Sequence, residues 1–462
     1  MDDVSKLRYT VRRIAFDDGE RLPMLVYTST GLPVFATMNY VLGKLRAEGQ
    51  AANSIEQCCR VLAMLHHWLD HAGIDFLARC MEGKLLSDPE IDELENLFRL
   101  ESKEFSEEVA MRYADSASPA LSIPAVPVAG RQDVLPPNQE AAQPSVASLE
   151  QFRRGATKRK LRKEVAAQTQ AIRLLHAQAY LKAIAFDYSA RAGTTAKKRE
   201  AIRAEAQRMA DRFKSLAPGI FSSMEAPAPE GLSASHVALL LKVVEPAAEN
   251  HDNPWTDPFV RKRNQLMILV LLATGMRGGE LLKMKTSSLH RSDAALSIAR
   301  TPNDAEDPRI RQPQAKTRAR DLPLDPNLYE ALNAFVVVER KAIPAKQRKH
   351  PFIWTTEDGA PLSINALSKI FSVLRAKTAA LPKDLTAHTL RYTATDDLFE
   401  RLGESAESEE QAAEQLRYVM GWSPTSNMPA KYARRHIRTR ANEALLDMQK
   451  SLLQKKDGHE QS

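Results

Sequence analysis

Along most of this chain apolar residues recur at helical spacing, and strand-like alternation is confined to short pieces. Residues from about 35 to 115 read as helical. In F-A-T-M-N-Y-V-L-G-K-L-R, Met38, Val41, Leu42 and Leu45 fall on one face. Asn53 or Ser54 is placed to cap the next helix, which would bury Ile55, Val61, Leu62, Leu65 and Trp68 and end near Gly73. Further on, Ile172, Leu175, Ala179, Ala183 and Phe186 share one side of a helix. A charged helix follows to about Leu216, stopped by Pro218-Gly219. Ser233 is a plausible N-cap for another helix. A strongly apolar helix covers 261–274 and ends at Gly275, and further helices fit 326–342, 364–377, 388–402 and 408–420. The stretches A-L-S-I-A and R-D-L-P-L predict a small antiparallel sheet, with F-I-W-T-T-E-D-G as another candidate strand and turn. The fold class predicted is mainly α with a small antiparallel β-sheet.

At 462 residues the chain exceeds one compact core, and no internal repeat is visible. Residues 116–148 are rich in Pro, Ala and small polar residues, a composition that opposes helix and predicts an extended linker. This gives an N-terminal helical region over 1–115, a linker over 116–150, a basic helical region over 151–225, a larger domain over 226–440 and a C-terminal helix and tail over 441–462. On that last helix Leu445, Met448 and Leu452 line one face.

Lys and Arg total 65 against 58 Asp and Glu, a net charge of +7, so the location of the charge matters more than its sum. Its densest stretch is R-R-G-A-T-K-R-K-L-R-K: Arg153, Arg154, Lys158, Arg159, Lys160, Arg162 and Lys163. Such a run is often just a solvated surface. Three cysteines, Cys58, Cys59 and Cys80, are too few and too oddly numbered for a disulfide framework. The longest apolar run, Leu266 to Ala273, is far short of the ~20 residues that span a bilayer. A cytoplasmic protein is expected. His66, His67 and His71 with Cys80 suggest a metal, but on a helix only His67 and His71 come together, so no metal site is assigned.

Four motifs carry candidate chemistry. Arg277 stands in T-G-M-R-G-G-E, where Glu280 is also a natural partner for it. In H-T-L-R, His388 and Arg391 fall at i, i+3 and share a helix face, with Thr386 as cap. A guanidinium presents a planar fork to phosphate oxygens, and an imidazole can relay a proton near neutral pH. Trp422 stands in G-W-S and offers one N–H donor but no proton relay. Tyr432 in K-Y-A-R-R follows it by ten residues, with Tyr418 and Tyr392 as rival phenols.

In their order and spacing these motifs resemble the catalytic domain of tyrosine recombinases, the phage integrase family, over about residues 230–440. The resemblance implies an N-terminal helical DNA-binding region joined to the catalytic domain in a clamp around double-stranded DNA. It implies that Tyr432 attacks a phosphodiester to form a 3′-phosphotyrosine, that Arg277 and Arg391 stabilise the phosphate, that Trp422 replaces the histidine usual in G-H-S, and that Glu280 is structural support. It places a catalytic lysine between the arginine motifs. Lys316 in Q-A-K-T-R-A-R-D-L-P-L is the best match, and Arg318 and Arg320 are rivals for its role or contacts to the DNA backbone. The position of the basic run just upstream then favours phosphate contact by Arg153, Arg154, Lys158, Arg159, Lys160, Arg162 and Lys163. No cofactor is implied, because bond energy is retained in the phosphotyrosine. The partners implied are double-stranded DNA and further copies of the chain in a tetramer, with room for a partner recombinase or accessory factor. The alternatives are a non-catalytic DNA-binding accessory protein and a type IB topoisomerase-like enzyme.

Overall fold

A computed structural model describes residues 8–114, 162–191, 193–217, 230–247, 253–314 and 317–459. The linker, the basic residues Arg153, Arg154, Lys158, Arg159 and Lys160, the Pro218-Gly219 stop, and Lys316 lie outside the described residues. The chain divides into two compact units, one of Met1–Ile14 with Leu22–Ser222 and one of Ala15–Arg21 with Ser223–Ser462. Among the described residues no helix is long and apolar enough to cross a membrane.

Two strands, β1 (Tyr9–Ala15) and β2 (Arg21–Tyr27), pair near the start of the chain. In the first unit, helix α1 (Phe35–Tyr40) runs into a π-helical turn, Val41–Arg46. The wider turn shifts the helical phase, so Val41 and Leu45 are buried while Leu42, expected beside them, is exposed. Helices α2 (Ala52–His71), α3 (Phe76–Glu82), α4 (Asp88–Phe98) and α5 (Ser102–Arg112) follow. The start of α2 carries no side-chain cap, so neither Asn53 nor Ser54 has that role. Its predicted buried face, Ile55, Val61, Leu62, Leu65 and Trp68, is buried as expected.

Helix α6 (Ala167–Ser189) and helix α7 (Ala196–Leu216) complete this core. The buried stripe of α6 is Ala171, Leu174, Ala177, Leu181 and Ala185, one or two positions before the stripe read from sequence. Ile172 and Leu175 are half-buried, because a helix apolar on most sides lets its neighbours choose the face.

In the second unit, α8 (Ala234–Val243) starts at Ser233, whose hydroxyl accepts the His236 N–H. Helix α9 (Pro258–Thr274) starts at Asp257 with proline in its first turn and ends at Gly275, which takes the left-handed conformation with φ +60°. A five-residue helix, α10 (Gly278–Leu282), leads to a three-stranded antiparallel sheet of β3 (Leu289–His290), β4 (Ala295–Ile298) and β5 (Arg320–Pro323). Leu296 pairs with Leu322 and Ile298 with Arg320, so these four share the inner face, while Ser297 and Asp321 face out.

The long connection from β4 to β5 is stitched down by polar groups. Asp307 accepts both Nε and Nη2 of Arg309 at 2.8 Å, and Gln312 and Asp304 bond each other at 2.8 and 3.1 Å. Helices α11 (Pro326–Ala334, continued by a π-helical turn, Phe335–Arg340), α12 (Ile364–Lys377), α13 (Ala387–Ser405), α14 (Glu409–Met420) and α15 (Met428–His459) complete the unit. The F-I-W-T-T-E-D-G segment forms isolated bridges, Lys285 to Phe352 and Thr355 to Pro361, in place of a strand.

Candidate active site

The glycines of T-G-M-R-G-G-E act by permitting close approach. A side chain on Gly275 would meet Met420 Cε at 2.7 Å, one on Gly278 would meet Leu367 Cδ2 at 2.8 Å, and one on Gly279 would meet the Gln314 carbonyl oxygen at 2.5 Å. Between them Arg277 sits at the N-terminus of α10, its N–H donating to Glu280 Oε2 at 2.9 Å. The Glu280 carboxylate does not turn to the Arg277 guanidinium. It takes a two-pronged ion pair from Arg320, Nη2 to Oε2 at 3.1 Å and Nη1 to Oε1 at 3.3 Å. The two side chains are 1% and 0% exposed. Arg320 is therefore not available as a contact to a DNA backbone, and strand alternation explains why: it shares its side of β5 with Leu322.

Arg391 lies on α13, whose N-terminus is capped by Thr386 as expected. Its side chain is enclosed, with the residue 3% exposed. Nη1 donates to the Gly275 carbonyl at 2.6 Å and Nη2 to the Met420 carbonyl at 2.9 Å. One guanidinium thus ties the segment before Arg277 to the segment before Trp422. The same guanidinium lies 5.7 Å from the Trp422 ring centre. Gly421 adopts φ +63° and presses its backbone against Arg320, and its carbonyl accepts the Arg318 N–H at 3.1 Å. The arginine motifs, G-W-S and the start of β5 are one connected assembly.

Its charges do not balance. Burial, then the neighbouring Arg277, lowers the Arg391 pKa, and burial lowers that of Arg277, while Glu280 is the carboxylate that acts on both in the opposite sense. Among the described residues three guanidiniums thus act around one carboxylate. Among the described residues Arg277 Nη1 is buried with no hydrogen-bond partner. Arg277 and Arg391 nevertheless remain cationic at working pH. His388 feels the same surplus: desolvation, then Arg391 and Arg277, lowers its pKa and favours the neutral imidazole.

Tyr432 is buried and lies within the field of Arg391. It is 2% exposed, within a cluster of Leu416, Met420 and Trp422, its ring stacked on the indole at 6.0 Å between centres. Its hydroxyl bonds with Thr395, and burial pushes its pKa up to about 12. Thr395 lies seven residues beyond His388 and four beyond Arg391 on α13, and the Arg391 charge opposes the rise in the Tyr432 pKa. Of the rivals, Tyr392 meets the His388 ring edge-on at 4.6 Å, and Tyr418 is exposed with its hydroxyl near the Asp321 carbonyl.

In the first unit, Arg162 is held in an ion pair to Glu108, which Arg112 shares. That neutralisation counts against the phosphate contact expected of Arg162; Lys163 is exposed. A basic group that the reading of the chain passed over lies around the turn from α6 to α7. Lys182 and Arg203 lie over the Phe186 ring at 5.4 and 5.6 Å, and Arg191 over Tyr188 at 5.0 Å. Further along α7, Arg212 is tied to Asp92 at 2.6 Å. The signal in sequence was the basic group Lys197, Lys198, Arg199 and Arg203 following Phe186 and Tyr188.

Residues 252–434 match the family model of the phage integrase family, and the chain carries a domain of that family over these residues. A tyrosine recombinase XerD of Halalkalibacterium halodurans is 31% identical over 144 residues, covering 31% of this chain and 42% of that protein. The XerD of Listeria innocua is 26% identical over 138 residues, covering 30% and 41%. The chain thus spans about two fifths of the length of these relatives. Among solved structures, the Tn1549 transposon integrase in complex with transposon right end DNA has 18% identity and a TM-score of 0.35, covering 63% of this chain and 97% of that one. XerH recombinase bound to a palindromic difH substrate has 15% identity and a TM-score of 0.38, covering 60% and 78%.

Proposed function

We propose that this chain is a site-specific DNA recombinase that cuts and rejoins double-stranded DNA through a 3′-phosphotyrosine. The observation that carries the reading is the surplus of guanidinium over carboxylate at Arg277, Arg391 and Arg320, with Arg277 Nη1 buried and unpartnered among the described residues. Buried positive charge of this kind is costly unless an anion completes it, and a phosphodiester brings one negative charge with two free oxygens.

In the proposed reaction the Tyr432 oxygen forms a bond to phosphorus as the bond from phosphorus to the 5′-oxygen breaks. Neutral His388 takes the phenol proton, and Lys316 gives a proton to the departing 5′-oxygen. Lys316 is flanked by Gln314 and Thr317, which lie against Gly279 and Gly421. Arg277 and Arg391 hold the charge that builds on the other oxygens, each donor worth about 10²–10³ in rate. In this reading Tyr432 leaves the pocket at Thr395 before it attacks. Double-stranded DNA held by basic residues of the first unit, assembly as a tetramer, and independence of added cofactor belong to the same proposal.

The test is covalent trapping on nicked suicide DNA carrying the target site, with wild type, Tyr432→Phe and Tyr392→Phe. The expected result is an adduct with wild type and Tyr392→Phe and none with Tyr432→Phe. An adduct that persists in Tyr432→Phe and disappears in Tyr392→Phe would move the nucleophile to the residue beside His388. DNA binding with no adduct from wild type would favour the non-catalytic accessory reading.

A further inference from the structure

We infer that Arg320 is a positioning residue whose task is to hold the Glu280 carboxylate away from Arg277 and so keep that guanidinium free for phosphate. The inference rests on the proposed strand-transfer reading and adds a residue to it. Three observations lead to it.

Glu280 is three residues from Arg277 on a helical start, the spacing at which an acid and a base ordinarily meet. Its Oε2 already reaches the Arg277 main-chain N–H at 2.9 Å, so a modest rotation would bring the carboxylate to the Arg277 side chain. Both of its oxygens are instead taken by Arg320, at 3.1 and 3.3 Å, in surroundings that exclude water from either partner.

Arg320 is itself fixed from several directions. Nε donates to the Val419 carbonyl at 2.7 Å, and Nη1 also reaches Thr317 Oγ1 and the Arg318 carbonyl, both at 3.2 Å. The left-handed Gly421 clears the space in which its guanidinium lies, since a side chain there would meet Nη1 at 2.5 Å. Arg320 therefore spans the Arg277 segment, the G-W-S segment and the end of the connection that carries Lys316.

The outcome is visible at Arg277: among the described residues Nη1 keeps no partner although a carboxylate lies within one helical turn. A lysine in place of Arg320 would keep the charge but lose the fork that occupies both carboxylate oxygens at once.

The test is single-turnover adduct formation at saturating suicide DNA for wild type, Glu280→Gln, Arg320→Met and the double variant, with DNA affinity and melting temperature measured on each. Freed of Arg320, Glu280 should swing to Arg277 and quench it, so Arg320→Met should lose about 100-fold, the loss of one oxyanion donor. Adding Glu280→Gln removes the quenching charge and should recover at least ~10-fold of that loss, a gain that a simple loss of fold support does not produce. Should Arg320→Met fail to fold, Arg320→Lys stands in its place under the same comparison.

A double variant as slow as Arg320→Met while melting no lower, or Arg320→Met cleaving at the wild-type rate, overturns the inference. Failure of wild type itself to form an adduct overturns the underlying reading instead.

Discussion

Replacing Thr395 with valine removes the hydroxyl that bonds to Tyr432 while keeping the shape of the side chain. In the wild type, withdrawing the phenol from Leu416, Met420 and Trp422 costs about 1.5–3 kcal/mol of apolar burial. The stacked contact with the Trp422 indole adds about 0.5–1.5 kcal/mol. The released tyrosine is therefore a minor form. Thr395→Val leaves the buried hydroxyl without that partner, which raises the energy of the held form by about 1–2 kcal/mol, within the range for an unmade hydrogen bond. The released fraction should rise about 5–30-fold. If release precedes attack, single-turnover adduct formation at saturating DNA should quicken by up to the same factor, while the melting temperature falls. An unchanged or slower rate, with DNA affinity intact, would refute the claim that the pocket at Thr395 holds the nucleophile back.

Gly279→Ala should cost about 1–3 kcal/mol of stability and most of the cleavage activity, because its Cβ would meet the Gln314 carbonyl oxygen at 2.5 Å and push away the connection leading to Lys316; wild-type melting and cleavage would refute it. His388→Gln should slow adduct formation by about 10²–10⁴. In wild type the base must be neutral and its pKa is lowered, so the rate should hold at neutral pH and fall only once the pH drops below the ordinary histidine range; a loss that begins above neutrality would contradict this. In the first unit, burial holds His66 and His67 at about 4, below the usual 6.5. The unfolded chain takes up these protons first, so stability is present above about pH 6.5 and is lost as pH falls towards 4, by up to about 3 kcal/mol per histidine. Hydrogen exchange along α2 at pH 7 and 5 should show this, and His67→Phe should flatten the dependence.

Much of the second unit was legible because its signals are local. The N-cap serine at 233, the left-handed glycine at 275, the threonine cap at 386 and the alternation in R-D-L-P each act within a few residues. The same alternation would have turned Arg320 inward, since it shares parity with Leu322, but its acid partner lies 40 residues away and leaves no local mark. Tyr432 was expected from the family resemblance, whereas its burial depends on α13 and α14 and so on tertiary contacts. The hairpin of β1 and β2 was missed although D-D-G-E between two alternating runs is an ordinary turn signal. The face of α6 was misjudged for another reason: its apolar residues surround it, and periodicity does not choose among sides.

The excess of guanidinium around Glu280 also bears on the stability of the second unit. A polyvalent oxyanion that reached Arg277 and bound only the folded second unit would steady it by mass action, by about 2.7 kcal/mol at a hundredfold excess over its dissociation constant. Sulfate or inorganic phosphate in a buffer would then raise the melting temperature and weaken apparent affinity for DNA at once. The choice of buffer salt thereby becomes a variable in any comparison of variants at this centre.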